Sequence, residues 1–128
     1  MTINIENFKK VRTAVAENEM FSMHDFLHPC GTAACIVGSA AVLIGAVEKN
    51  TYLDDEGENP LVCFLTDEKK VAEWLGLSDE DDGLERSERD FLIYSHWTET
   101  DRENITQAEA LTYLDKVIET GDVRVTID

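Results

Sequence analysis

The sequence predicts a mainly α protein: a compact helical fold around a buried small-residue helix, with at most a minor two-stranded β element (α+β). Three observations carry that expectation. Apolar residues recur at spacings of three and four near both ends of the chain, as on amphipathic helices. A segment without a charged side chain runs from Pro29 to Val47. A capping-box pattern, Thr106-x-x-Glu109, opens the last helical stretch. At 128 residues, the chain reads as one domain, residues 1–128, with a radius of gyration near ~14 Å if compact. Its hydrophobic share of 43% is ordinary for a globular protein.

Ile5, Phe8, Val11 and Val15 form one apolar stripe, which predicts a helix from Ile5 to Glu17. Met20 to Pro29 reads as a loop anchored by Phe21 and Phe26. Thr32 offers a hydroxyl as N-cap for a helix from Ala33 to Ala46. That helix is apolar all round, as expected of one buried on most sides. Ala34, Gly38, Ala41 and Gly45 give it a stripe of small residues, which suits close helix packing.

Asn50 to Asn59 reads as a polar acidic loop. The apolar run Leu61–Leu65 after Pro60 fits either a short strand or a helical lead-in, and periodicity does not separate the two. Thr66 is the expected N-cap of a helix reaching Leu75, with Gly76 as its terminator. Ser78 and Ser87 are further N-cap candidates, and Phe91, Leu92, Tyr94 and Trp97 predict a short packed helix. The capping box introduces a helix from Gln107 to Glu119 that buries Ala110, Leu111, Leu114, Val117 and Ile118. Val123 to Ile127 alternates apolar and polar, as a terminal strand would, paired with 60–65 or near the N-terminus.

The charge is concentrated. Of the net −16, residues 51–104 hold 17 Asp/Glu against 5 Lys/Arg, which is −12. Residues 1–50 contribute −1 and residues 105–128 contribute −3. Such an excess repels nucleic acid and anionic membrane and attracts basic surfaces. The first twenty residues include Glu6, Lys9, Lys10, Arg12, Glu17 and Glu19 and hold no apolar leader core, so no signal peptide is expected. Three cysteines cannot complete a disulfide framework. Together these features predict a reducing, cytosolic setting.

Chemistry-bearing patterns are sparse. His24, His28, Cys30 and Cys35 are four potential zinc ligands, but their spacing fits no common finger, and the cysteines also read as small buried hydrophobes. Cys30 near a helix start could act as a nucleophile, yet no histidine spacing marks a base for it. In Asp79–Gly83, an EF-hand register that takes Gly83 as position six puts Ser78 first and Arg89 last, so the calcium pattern fails. No phosphate loop, GxSxG or HExxH occurs, and no cofactor or catalytic residue is expected. No basic patch with interleaved aromatics is present, which argues against direct nucleic-acid binding.

The run Cys30-Gly31-Thr32-Ala33-Ala34-Cys35-Ile36-Val37-Gly38 resembles a motif of small bacterial and phage proteins of unknown function. In those, Cys-Gly-Thr-x-x-Cys-Ile/Leu-x-Gly opens a small-residue helix. A Leu-Gly-Leu follows, here Leu75-Gly76-Leu77, and then a Trp before a Thr-capped C-terminal helix, here Trp97 and Thr106. The likeness spans about residues 5–121, and Ser39 stands where the pattern often has Trp. It implies a phage-type setting and no established activity.

Three functions fit this sequence. The first is a binding protein that offers Asp67, Glu68, Glu73, Asp79, Asp81, Asp82, Glu85 and Glu88 to a basic, nucleic-acid-binding enzyme as a DNA mimic. Duplex DNA carries a charge per ~1.7 Å of axis, and helix carboxylates three or four apart have Cβ atoms about 5–6 Å apart. The second is an accessory domain whose acidity serves solubility or a salt-rich host. The third is a metal or thiol protein centred on Cys30 and Cys35.

Overall fold

In the computed structural model, the first helix is the hub on which the others assemble. The structure describes residues 3–23, 34–53, 55–58, 60–78, 87–93, 95–101 and 104–127. Helix α1 spans Ile5–Glu17, capped by Asn4, whose side chain accepts from the Asn7 backbone N–H at 3.1 Å. Its stripe of Phe8, Val11 and Val15 is fully buried, each side chain contributing about 1.5–3 kcal/mol by leaving water. α1 packs against α2 (Ile36–Ile44), α3 (Glu68–Leu75) and α5 (Gln107–Thr120).

Polar joints fix these contacts. The buried Asn7 amide donates to the Trp74 carbonyl at 2.7 Å, and the Asn4 N–H donates to the Leu75 carbonyl at 2.8 Å. The start of α1 is thereby tied to the end of α3. At the other end of α1, the Gln107 amide donates to the carbonyls of Val15 (2.6 Å) and Asn18 (2.8 Å). Those carbonyls lie where a helix runs out of its own donors, and a side chain of α5 supplies them.

Helix α2 differs from its expectation at both ends. It begins at Ile36, and its N-cap is Cys35, whose Sγ accepts from the Gly38 N–H at 3.4 Å. Thr32 is therefore not the cap; it lies outside the described residues. Gly45 does not extend the small-residue stripe. It ends the helix at φ +70°, a backbone state that glycine enters without steric cost. Ala34, Gly38 and Ala41 are buried, but Val42 and Leu43 are about half exposed, so α2 is not covered all round.

The chain turns directly from α2 into β1 (Val47–Leu53), which pairs antiparallel with β2 (Pro60–Thr66). Val47 faces Thr66, and Leu53 faces Pro60. The run after Pro60 is thus a strand, and 50–53, expected as loop, belong to β1. Val47 packs against the core at the base of the hairpin. Farther out, the two strands contact chiefly each other. Leu53 is 61% exposed and Leu65 47%.

α3 is capped by Asp67 rather than Thr66; its Oδ1 accepts from the Lys70 N–H at 3.2 Å. Gly76 closes it at φ +76°, as expected. α4 (Glu88–Ile93) starts at Ser87, whose Oγ accepts from the Asp90 N–H at 3.1 Å. Trp97 lies past α4 and stacks on Tyr113 of α5, with ring centroids 4.5 Å apart and planes 12° from parallel. Just after α4, Ser95 holds φ +56°, and its buried Oγ has no hydrogen-bond partner among the described residues.

The capping box of α5 forms as predicted from Thr106 and Glu109. Tyr113, not singled out from the pattern, is buried, whereas Leu111 and Ile118 are only partly so. The alternation at 123–127 does not make a strand. Tyr113 Oη donates to the Val123 carbonyl at 2.7 Å, and the Ile127 N–H donates to the Trp97 carbonyl at 3.0 Å. The segment lies as a strap across α5 and Trp97, with Val123 fully buried.

Candidate partner-binding surface

The eight carboxylates read as an acidic array have unlike environments. Asp67 is exposed at the head of α3, and one of its oxygens is engaged by the Lys70 N–H. Glu68 is half-buried and pairs with Arg89 Nη2 at 3.6 Å. Glu73 is exposed near the end of α3. Glu88 is only 8% exposed, and its Oε1 accepts from the Ser78 N–H at 2.9 Å. That carboxylate faces inward and joins the chain on either side of residues 79–86. Asp79, Asp81, Asp82 and Glu85 lie outside the described residues. The structure thus places Asp67 and Glu73 on the exposed side of α3, and it removes Glu88 from any exposed set.

Other carboxylates, not chosen from the sequence, sit on the hairpin. Asp55, Glu56 and Glu58 are exposed in the turn between β1 and β2. Glu48 lines a cleft of about 160 Å³ at the hairpin base, together with Gly45, Ala46, Val47, Asp67 and Lys70. The Asp67 N–H donates to the Ala46 carbonyl at 2.9 Å and holds this base closed. The signal for these residues was the acidic run itself. Reading 50–59 as loop hid that the run caps two strands.

Elsewhere, acidic groups support the fold. Asp115 receives Arg12 Nε at 2.7 Å and Nη2 at 3.4 Å, linking α5 to α1. The Asp115 hydrogen bond first, and its charge second, raise the Arg12 guanidinium above its ordinary value. Glu109 accepts from Thr100 Oγ1 at 3.0 Å as well as completing its capping box.

Of the metal and thiol candidates, only Cys35 lies among the described residues. Cys35 is buried, with its sulfur turned to the first turn of α2. His24, His28 and Cys30 lie outside the described residues. Among the described residues, no group of three or more His, Cys, Asp or Glu is placed to hold a metal ion. Among them too, no helix is long and apolar enough to cross a membrane. Comparison with protein-family models, with curated proteins and with solved structures gives no match for this chain.

Proposed function

We propose that this is a small, acidic, non-enzymatic cytosolic protein of phage or mobile-element type that binds a basic protein surface. In the sharper form of that reading, it mimics DNA toward a nucleic-acid-binding host enzyme. The observation that carries it is the exposure of Asp55, Glu56, Glu58, Asp67 and Glu73 on ordered backbone within the segment that holds −12 of the −16 net charge. Charge fixed on a strand turn and a helix presents a constant spacing to a partner, unlike charge on a free tail. The setting rests on the resemblance of the Cys30–Gly38 run to phage and bacterial proteins.

Affinity capture from host lysate, followed by displacement with duplex DNA, tests the reading. The expected result is a basic partner that is lost at high salt and displaced by DNA. A partner that DNA does not displace overturns mimicry. Capture of no basic partner at low salt overturns the binding reading itself.

One observation weighs against counting the whole predicted array as a partner surface. Asp67, Glu68 and Glu88 each have a task inside the molecule: a cap, an ion pair and a buried hydrogen bond. Their presence in the sequence therefore has a cause other than a partner.

A further inference from the structure

We infer that the seat beneath the C-terminal strap, between α5 and Trp97, is a binding site for an extended peptide, and that residues 123–127 are its built-in occupant. Three hydrogen bonds fasten the strap there, and each uses a backbone group of the strap. Tyr113 Oη donates to the Val123 carbonyl at 2.7 Å, Lys116 Nζ donates to the Thr126 carbonyl at 2.8 Å, and the Ile127 N–H donates to the Trp97 carbonyl at 3.0 Å. Side chains turn inward at every second position. Val123 is fully buried, Val125 and Ile127 pack against the core, and Thr126 is exposed. Bonds to the backbone, with alternate side chains taken up by the body, are how proteins recognise extended peptides. Residues 123–127 belong to no helix or strand, and among the described residues they share one backbone–backbone hydrogen bond with the body. A segment so held is of the kind that opens while the helices stay closed.

The strap itself shows what the seat takes: an extended segment that is aliphatic at alternate positions, as at Val123, Val125 and Ile127. Charge decides what stands between them and who brings it. Arg124 is half-buried between Val123 and Val125, so a basic residue fits there. The chain as a whole carries −16. It draws in a segment with a basic residue between apolar ones, whereas a second copy of the chain adds another −16 and is repelled. The occupant is therefore a strand-like, apolar–basic–apolar segment of a different protein. Such a segment has to displace the strap, which its covalent link to α5 keeps at high effective concentration. The resident strap is thus autoinhibitory. The inference does not rest on the acidic-surface reading, since it uses none of Asp55, Glu56, Glu58, Asp67 or Glu73.

The probe is a dye-labelled peptide Asp-Val-Arg-Val-Thr-Ile-Asp, the sequence of residues 122–128, titrated into the full chain and followed by anisotropy. Val123→Asp, and the milder Ile127→Asp, loosen the resident strap and leave α5 and Trp97 unaltered. The expected result is binding several-fold tighter to either variant than to the wild type. Adding Lys116→Met to either should weaken that binding several-fold, and adding Lys9→Met, an equal charge change on α1, should not. Amide hydrogen exchange on the wild-type chain gives an arm that needs no variant. The Ile127 amide should exchange many-fold faster than those of Leu114 and Val117, and faster still when unlabelled peptide saturates the chain. A folded Ile127→Asp chain that does not bind the peptide overturns the inference. So does an Ile127 amide that exchanges only as slowly as those of α5, or equal weakening by the two lysine changes. A concentration-dependent dimer in sedimentation equilibrium, formed by exchange of straps, would give the seat to a second copy and overturn the assignment to a different protein.

Discussion

The helical body and the hairpin are built by opposite means. The body closes on itself: α1 meets three helices, Trp97 stacks on Tyr113, and side-chain amides of Asn7 and Gln107 join element ends far apart in sequence. The hairpin has one anchored end, at Val47 and the Ala46–Asp67 hydrogen bond, and then runs out with Leu53 and Leu65 exposed. The difference teaches where stability and availability reside. Burial and satisfied polar groups make the body costly to open. The hairpin keeps backbone and charge accessible because little else covers it.

Five substitutions would sharpen or break this contrast. The largest effect is expected at Trp97, which has no exposed surface. Trp97→Ala should lower unfolding free energy by about 3–5 kcal/mol in a denaturant melt. A loss below 1 kcal/mol would show that the stacked pair is not the centre of the body.

Next is Asn7→Ala, which leaves the Trp74 carbonyl without its donor and should cost about 1–3 kcal/mol. Ser95→Gly should act the other way. It relieves a left-handed backbone in a residue with a Cβ and deletes a buried hydroxyl, for a gain of about 1 kcal/mol.

Tyr113→Phe should cost about 1 kcal/mol near neutral pH through the lost bond to Val123, and it carries a pH signature. Burial, with Asp122 and Glu88 nearby, raises the Tyr113 phenol well above its ordinary 10.0. Above pH 10 the unfolded phenol sheds its proton while the folded one keeps it. The folded state then binds more protons, so stability falls as pH rises from the unfolded value through the folded one. Urea melts on either side of pH 10 should show the wild type losing ground to the Phe variant. A constant gap between them would contradict the burial of a protonated phenol.

The smallest effect is expected in the hairpin. Leu53→Ser should change stability by less than about 0.5 kcal/mol. A larger loss in the same melt would mean that the hairpin is part of the body after all.

Legibility in the sequence followed the same divide. α1 and α5 could be read almost to the residue because their stripes and the Thr106–Glu109 box are local patterns. The start of α2 was misplaced because Thr32 and Cys35 are both near a plausible start, and a thiol accepting from Gly38 is an uncommon cap. β1 carries Glu48, Lys49 and Asn50 in succession, so no alternation revealed it. The ladder between residues 47 and 66 supplied what the local pattern lacked. The alternation at 123–127 was real but served to lay Val123 against Tyr113. The candidate surface was legible as composition and not as geometry. Nothing in the acidic pattern marked Glu88 as the group that would turn inward to meet Ser78.

The stacked Trp97–Tyr113 pair has a consequence for observing this molecule. The chain has two tryptophans, Trp97 fully enclosed and Trp74 partly buried on α3, and both belong to the helical body. Indole emission therefore reports the body alone. The hairpin holds no indole, so its fraying is silent in indole emission, and a melt followed by that emission alone would register the body while the two strands came apart unseen.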